Sequence, residues 1–427
     1  MIEVVQNDRE RAALVGLIAG SDRRHAAEQS LEELAGLARA AGAEVALRMS
    51  QERPRPDPAT FLGKGKLDVL AAACNEAGID VVIFDNELSP GQLRHIEARV
   101  DRKVIDRTQL ILDIFARRAK TREGKWQVEL AQLEYMLPRL VGSSAALSRL
   151  GGGIGTRGPG ETKLESDRRR IRTRIHQIRK AIDEVRKRRA QLRERRHKQA
   201  LPTVALVGYT NAGKTTLFNL LTRETAEADN ALFVTLDPLV RRVKLPDSRA
   251  LLVSDTVGFI DRLPHALIAA FRATLEEVAE SDLVLHVIDA ASPERERHQA
   301  AVHRVLVEVG ADQVPRLEVY NKSDMLGPEE CRRLQAAEPG AIVMSARTGK
   351  GRDDLLDAIA ARLAMDVRRV SLRFDPTKES DRKLVARLYR DARVVQHVET
   401  GDLISLEADV PRRLVEELAA RDAGGDR

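Results

Sequence analysis

The sequence predicts a multidomain α/β protein, and three observations carry that prediction. Apolar strands alternate with helical stretches over residues 1–112, a pattern that implies a parallel sheet. Two heptad-patterned segments follow, which imply an antiparallel helical arm. After Pro202 a short apolar strand runs into a glycine-rich loop ending Gly-Lys-Thr and then a helix, the strand–loop–helix unit of a P-loop domain. The expected parts are an N-terminal α/β domain (1–112), the arm (113–200), a P-loop domain with a mostly parallel sheet (201–364) and a small C-terminal α+β domain (365–427). At about 150 residues per domain, 427 residues accommodate such a series.

In the first part, Leu14–Ala19, Glu44–Met49, Asp80–Phe84 and Lys103–Ile105 read as strands. His25–Ala41, Lys66–Ala77 and Pro90–Val100 read as the helices between them. Arg53-Pro54-Arg55-Pro56-Asp57-Pro58 is a stiff surface loop, because proline fixes φ and removes a donor. Phe61-Leu62-Gly63-Lys64-Gly65-Lys66 superficially resembles a phosphate loop but lacks its spacing and a following Ser or Thr. It reads as a turn entering a helix.

In the arm, Trp126, Leu130, Leu133, Leu137 and Leu140 are spaced 4, 3, 4, 3, and Leu164, Ile171, Ile175, Ile178, Ile182, Val185 and Leu192 are spaced 7, 4, 3, 4, 3, 7. Pro138 should end or kink the first helix near its tip. The second helix should run from about Lys163 to Lys198, a length of roughly 50 Å. Residues 161–200 hold 16 Lys/Arg against 6 Asp/Glu, a net of +10, while the rest of the chain holds 55 against 59, a net of −4. One segment therefore supplies the whole excess behind the net charge of +6. A patch so concentrated is the footprint of a polyanion partner, although a solvated helix face is the plainer alternative. Between the helices, residues 151–160 contain six glycines. From Pro138 to Gly160 there are Arg139, Arg149 and Arg157 and no acidic residue. A linker would account for the glycines; a loop whose backbone approaches phosphates accounts for the arginines as well.

Composition narrows the function. With 43% hydrophobic and 32% charged residues the chain has ample core-forming material, and with 3% aromatic and the single Trp126 it is poorly supplied for stacking single-stranded nucleic acid. Cys74 and Cys331 are the only cysteines, which excludes a disulfide framework or a cysteine-rich zinc site and suits a reducing compartment. The histidines show no metal-ligand spacing; His298 and His303 are five apart and diverge on a helix. No run approaches the roughly 18 apolar residues of a membrane span. Glu3, Asp8, Arg9, Glu10 and Arg11 do not look like a signal peptide. The expectation is a cytoplasmic monomer with no stable membrane insertion.

The chemistry concentrates after residue 201. Thr203–Val207 leads into Gly208-Tyr209-Thr210-Asn211-Ala212-Gly213-Lys214-Thr215 and then Leu217–Leu221. Such glycines let consecutive N–H groups wrap phosphates, helped by the helix N-terminus. Lys214 should reach the β- and γ-phosphates, and the Thr215 hydroxyl should ligate Mg²⁺. Leu251–Val253 leads to Asp255-Thr256-Val257-Gly258, where Asp255 can orient a metal-bound water and the Gly258 amide can sense the γ-phosphate. Between them lies Phe233-Val234-Thr235-Leu236-Asp237, with Thr235 the second candidate Mg²⁺ ligand. Leu317–Tyr320 ends in Asn321-Lys322-Ser323-Asp324. The Asp324 carboxylate can accept from the N1–H and 2-amino group of guanine, a donor pair that adenine lacks. Ala341–Met344 runs into Ser345-Ala346-Arg347, whose backbone can meet the guanine O6. These elements in this order resemble a Ras-like GTPase domain, with GTP and GDP as the expected ligands.

Position 259 sets the expected mechanism. Many such GTPases place a glutamine after the D-x-x-G motif to orient water; here it is Phe259. Intrinsic hydrolysis should be slow, with water positioned by backbone, ion or partner. Asn211 resembles the asparagine that coordinates a cation in potassium-stimulated GTPases, so K⁺ is a candidate cofactor; a loop-bracing amide is the alternative.

Taken together, these blocks resemble the HflX family of translational GTPases through most of the chain. The marks outside the P-loop domain are Val104-Ile105-Asp106-Arg107-Thr108, Ile111-Leu112-Asp113-Ile114-Phe115-Ala116, Glu129-Leu130-Ala131-Gln132-Leu133 and the loop from Gly151 to Lys163 ending Gly158-Pro159-Gly160-Glu161-Thr162-Lys163. The resemblance implies a partner, the large ribosomal subunit and its rRNA, and a role in splitting or rescuing stalled ribosomes under stress. It makes Arg149, Gly151, Gly152, Gly153, Arg157, Gly158 and Lys163 the candidate RNA contacts. An assembly switch is the alternative function. An interaction protein dimerising through the arm is a third reading.

Overall fold

Alternation of strand and helix in the first hundred residues produces a sheet of four parallel strands. They are β1 (Arg11–Ile18), β2 (Glu44–Glu52), β3 (Val81–Phe84) and β4 (Lys103–Asp106), ordered β2-β1-β3-β4. The computed structural model describes residues 9–18, 24–139, 159–198, 201–223, 233, 239–246, 250–261, 277–364, 367–400, 403–411 and 415. The chain forms two units, one comprising Met1–Val185, Asn230–Leu236 and Arg262–Phe271 and the other Arg186–Asp229, Asp237–Asp261 and Arg272–Arg427.

In the first unit, β3 reads Val-Val-Ile-Phe and is buried throughout, as a strand covered on both faces requires. The helices are α1 (Arg24–Ala40), α2 (Lys64–Glu76) and α3 (Pro90–Val100). Phe61–Lys66 is the predicted turn into a helix: Gly63 caps α2, and Phe61 pairs back to Asp57. Ser89 and Gln92 close a capping box on α3, with Pro90 in its first turn, so the start of this helix is fixed by its own sequence.

The Asp106-Arg107 pair organises this unit. Asp106 is fully buried, caps α4 (Arg107–Arg118) by accepting from Gln109 N at 2.9 Å, and also accepts from Leu88 N, the Tyr135 hydroxyl and Arg139. Arg107 is buried between Glu33 at 2.6 Å and Asp85 at 2.8 Å, and Ser30 donates to the other Asp85 oxygen. A buried guanidinium is tolerable only when so paired. The helix α4 runs through the expected 112/113 boundary without a break, because Ile111, Leu112, Ile114 and Phe115 form one buried stripe.

The arm helices are α5 (Arg122–Arg139) and α6 (Pro159–Lys198). Their predicted seams pack together: Leu130, Ile175 and Ile178 are buried, flanked by Trp126, Leu133, Leu137, Ile171 and Ile182. Arg174 grips Glu129 with two bonds, and Arg179 meets Glu134 at 2.7 Å. Pro138 sits in the last turn of α5. The helix α6 starts at Pro159 rather than near Lys163, so the last two residues of the predicted 151–160 loop are helical. Proline suits a first helical turn, where an N–H has no intrahelical partner anyway.

The second unit opens with β5 (Thr203–Val207), α7 (Lys214–Thr222), β6 (Leu239–Lys244), β7 (Ala250–Asp255) and β8 (Leu283–Asp289). It continues with α8 (Arg295–Glu308), β9 (Arg316–Asn321), α9 (Pro328–Ala337), β10 (Ile342–Val343) and α10 (Arg352–Ala364). The six-stranded sheet is ordered β10-β9-β8-β5-β7-β6 and is parallel except for β6, which hairpins against β7. Val204, Leu206, Leu217, Phe218, Leu251, Leu285 and Leu317 form the centre of its core. The carboxyl ends of β5, β7, β9 and β10 therefore share one edge, where open α/β sheets bind ligands.

The C-terminal part comprises β11 (Val367–Phe374), α11 (Glu379–Asp391), β12 (Arg393–Thr400) and β13 (Leu403–Pro411), with antiparallel order β11-β13-β12. β13 runs through Pro411, which pairs with Val367. Leu406, Ala408 and Val410 alternate into the core, so the strand period continues past Glu407. Among the described residues, no helix is long and apolar enough to cross a membrane.

Candidate functional site

The loop between β5 and α7 is shaped by two glycines. A Cβ on Gly208 would lie 2.2 Å from the Val287 carbonyl oxygen, and one on Gly213, at φ +92°, would lie 2.2 Å from Asn321 Nδ2. No side chain fits either place. Lys214, at the start of α7, is buried and donates to the carbonyls of Gly208 at 3.1 Å and Tyr209 at 2.9 Å. Burial lowers its pKa to about 8, against the opposing pull of Asp255. The neighbouring Thr215 hydroxyl donates to Asp255 Oδ2 at 2.9 Å. One hydroxyl and one carboxylate at this separation suit Mg²⁺, which keeps most of its water and binds few protein ligands.

The segment after β7 lies against the phosphate loop. Thr210 N donates to Phe259 O at 2.7 Å, and Phe259 N donates to Gly208 O at 3.1 Å. This zipper buries the Phe259 ring to 1% exposure. Gly258 sits so close that a Cβ there would be 3.2 Å from Lys214 Nζ. The Thr256 side chain is structural: its hydroxyl donates to Leu206 O at 2.6 Å. Val257 is buried.

Asn321 ties three loops together. Its Nδ2 donates to Ala212 O at 2.9 Å, and its Oδ1 accepts from Ala346 N at 2.8 Å. The Ala346 N–H, within the loop expected to meet guanine O6, is thus engaged by Asn321. Lys322 takes a left-handed φ of 65° and pairs with Asp289 at 2.7 Å. Asp324 lies in a 3₁₀ turn (Ser323–Met325), its two oxygens held by the Ser345 hydroxyl at 2.5 Å and Arg347 at 2.6 Å. The Ser345 bond, then a bond from the residue's own backbone amide and the Arg347 charge, hold this carboxyl below its ordinary value despite some burial. It is an ionised acceptor, which guanine recognition needs.

The remaining expected residues divide. Asn211 has φ 60° and an exposed side chain; asparagine tolerates this left-handed region, which gives a backbone reason for the residue type. Phe233 belongs to the first unit, with its ring edge-on to Phe115 of α4 at 4.6 Å between centroids. Val234, Thr235, Leu236 and Asp237 lie outside the described residues. So do Arg149, Gly151, Gly152, Gly153, Arg157 and Gly158, and Lys163 is described only as part of the α6 backbone.

Other residues enter the site unannounced by any motif. His298 of α8 stacks on Tyr209 with ring centroids 3.8 Å apart. The Tyr209 hydroxyl accepts from Asp261 N at 2.9 Å, and Asp261 is gripped by Arg297 at 3.1 Å and Arg304 at 2.9 Å. The charged face of α8 was the only sequence signal, and it does not identify a partner.

A glycine-shaped strand–loop–helix ending Gly213-Lys214-Thr215, a carboxylate beside that threonine and an ionised aspartate after β9, on one edge of this sheet, fit a P-loop GTPase. Family models match in chain order: the N-terminal region of GTP-binding GTPases at residues 28–116, their middle region at 118–196, and a 50S ribosome-binding GTPase domain at 203–322. The GTPase HflX of Caldanaerobacter subterraneus is 44% identical over 98% of this chain and 95% of its own length. That of Escherichia coli is 44% identical over 94% of each. The chain belongs to the HflX family of GTPases, and it hydrolyses GTP. Among solved structures, a GTP-binding protein of Sulfolobus solfataricus in complex with GDP is 24% identical, covering 83% of this chain and 98% of that one with a TM-score of 0.43.

Proposed function

We propose that this GTPase acts on the large ribosomal subunit, binding its rRNA through the basic arm and splitting or rescuing stalled ribosomes. The observation that carries this is the arm itself. Arg169, Arg172, Lys180, Lys187 and Arg188 stand exposed along α6, while Arg174 and Arg179 hold it to α5. Such a surface binds phosphates without reading sequence. The matched description of a 50S ribosome-binding GTPase supports the same partner. In this reading residues 1–112 dock, 113–200 reach into RNA, 201–364 turn over GTP, and 365–427 form an appendage. The protein works as a cytoplasmic monomer.

At the nucleotide site, the loop from Gly208 to Thr215 wraps the phosphates, and Lys214 moves from its carbonyl partners to the β- and γ-phosphates. Asp324 selects guanine, with the Ser345-Ala346-Arg347 loop beside the base. Asp255, Thr256, Val257 and Gly258 line the γ-phosphate side, and Asn321, Lys322 and Ser323 brace the base side. Thr215, and Thr235 from residues 233–237, would hold Mg²⁺, which when bound neutralises charge on the β- and γ-phosphates. K⁺ beside Asn211 would add positive charge at the same place.

The test is GTP hydrolysis with and without purified large subunits in potassium buffer, with co-sedimentation in a non-hydrolysable GTP analogue and in GDP. Stimulation and GTP-dependent co-sedimentation are expected. Their joint absence would remove the ribosome from this reading. Engagement of immature subunits instead of stalled ribosomes would favour an assembly switch.

A further inference from the structure

Phe259 leaves the expected water-orienting position without a hydrogen-bonding side chain, and the fold puts another polar group beside it. Thr210 is 7% exposed, and its hydroxyl is buried with no hydrogen-bond partner among the described residues. An orphaned buried hydroxyl is costly and native proteins rarely keep one without use. Its position is specific. Thr210 lies in the loop between Gly208 and Lys214, against the Gly258 backbone. A Cβ on Gly258 would be 3.1 Å from Thr210 Cα, 3.2 Å from Thr210 Cβ and 3.2 Å from Lys214 Nζ. The threonine side chain, the Gly258 backbone and the Lys214 ammonium thus converge on one small space.

Backbone geometry keeps it there. Thr210 N is bonded to Phe259 O at 2.7 Å, so the residue that lacks the glutamine function also pins the threonine in register. The Tyr209 ring beside it is stacked on His298. The loop cannot shift Thr210 without disturbing both contacts.

We infer that the Thr210 hydroxyl orients the attacking water against the γ-phosphate, the part that a glutamine at 259 would otherwise play. This rests on the nucleotide-site reading above. In the step, the water oxygen bonds to the γ-phosphorus, and the bond from that phosphorus to the β–γ bridging oxygen breaks. GDP leaves with the electron pair, and the water's proton ends on the released phosphate. Thr210 accepts a hydrogen bond from the water and donates its own O–H to a γ-phosphate oxygen. It changes protonation state at no point, so it adds orientation and no proton-transfer pKa.

The test compares Thr210→Val, which keeps the shape and loses the hydroxyl, with Thr210→Ser, which keeps the hydroxyl. Single-turnover hydrolysis, affinity for a fluorescent GTP analogue and the melting temperature of nucleotide-free protein are measured for each. Thr210→Val is expected to slow hydrolysis by about a hundredfold while GTP affinity, which loses one hydrogen bond, falls by no more than about tenfold, and to melt no lower than the parent, because an unpaired buried hydroxyl has been removed. Thr210→Ser is expected to restore most of the rate. Should valine prove insoluble, Thr210→Ala carries the same comparison. A valine variant hydrolysing at the parental rate would overturn the inference. So would a serine variant as slow as valine, or a loss of affinity matching the loss of rate. A parent that binds GTP no better than Lys214→Ala overturns the nucleotide-site reading itself, which separates the two failures.

Discussion

Asn321 Nδ2 donates to the carbonyl oxygen of Ala212 at 2.9 Å, across 109 positions of sequence. This bond joins the end of β9 to the loop between β5 and α7, and the Asn321 Oδ1 bond to Ala346 N adds the loop after β10. Asn321→Ala should therefore weaken guanine nucleotide binding by about a hundredfold and lower unfolding free energy by about 2 kcal/mol, since buried partners are left unpaired. Fluorescent GDP titration and urea denaturation check both effects. A variant with parental affinity would show that the loops hold each other without this bridge.

Lys214 makes opposite predictions for the free and bound protein. Its pKa in the folded chain is about 8 against an ordinary 10.5. Between those values the unfolded state binds more protons, so this group's contribution to stability rises with pH. A bound triphosphate favours the charged ammonium, so binding takes up a proton above pH 8 and affinity falls by up to about tenfold per pH unit. Melting and GTP titration across this window, with Lys214→Met as control, check the pair of slopes.

Asp324→Asn should relax guanine selectivity and admit xanthine nucleotides, because the amide offers a donor where the carboxylate accepts. In the parent, the Ser345 hydroxyl bond and the Arg347 charge hold the Asp324 pKa down. Stability from this group is present above its unfolded-state pKa and is lost as pH falls through the lower folded value. Competition of GTP with xanthosine triphosphate, measured in both proteins, decides the base assignment.

Arg107→Met should destabilise the N-terminal unit by about 3–5 kcal/mol, because buried Asp85 and half-buried Glu33 lose the cation between them. GTP affinity should be unchanged. Limited proteolysis of residues 1–139 and nucleotide titration read the two outcomes separately.

Much of this architecture is legible where chemistry is local in sequence. The capping box at Ser89 and Gln92, the arm's heptads and the segments at or following strand ends that carry Lys214, Asp255 and Asp324 all show in short windows. The edge strand Leu239–Lys244 does not: its Arg241-Arg242 pair interrupts the apolar run, and the pairing with β7 that makes it a strand is tertiary. The same reason hides the stack of His298 on Tyr209 and the grip of Arg297 on Asp261. Their residue types are ordinary on a helix surface, and only the fold brings them to the loop. Phe233 shows the reverse case. Its motif is clear, but its ring lies on Phe115, a contact that no short pattern encodes.

The C-terminal sheet has its last strand in the middle, with β13 paired to β11 on one side and β12 on the other. During synthesis, β11, α11 and β12 emerge with no sheet to join, because neither flanking strand bonds to the other. Closure of this domain waits for residues 403–411, and then both edges zip against the newcomer at once. A nascent chain stopped before Leu403 carries two strands with no partner and a core that lacks Leu406, Ala408 and Val410, a substrate for chaperones and proteases.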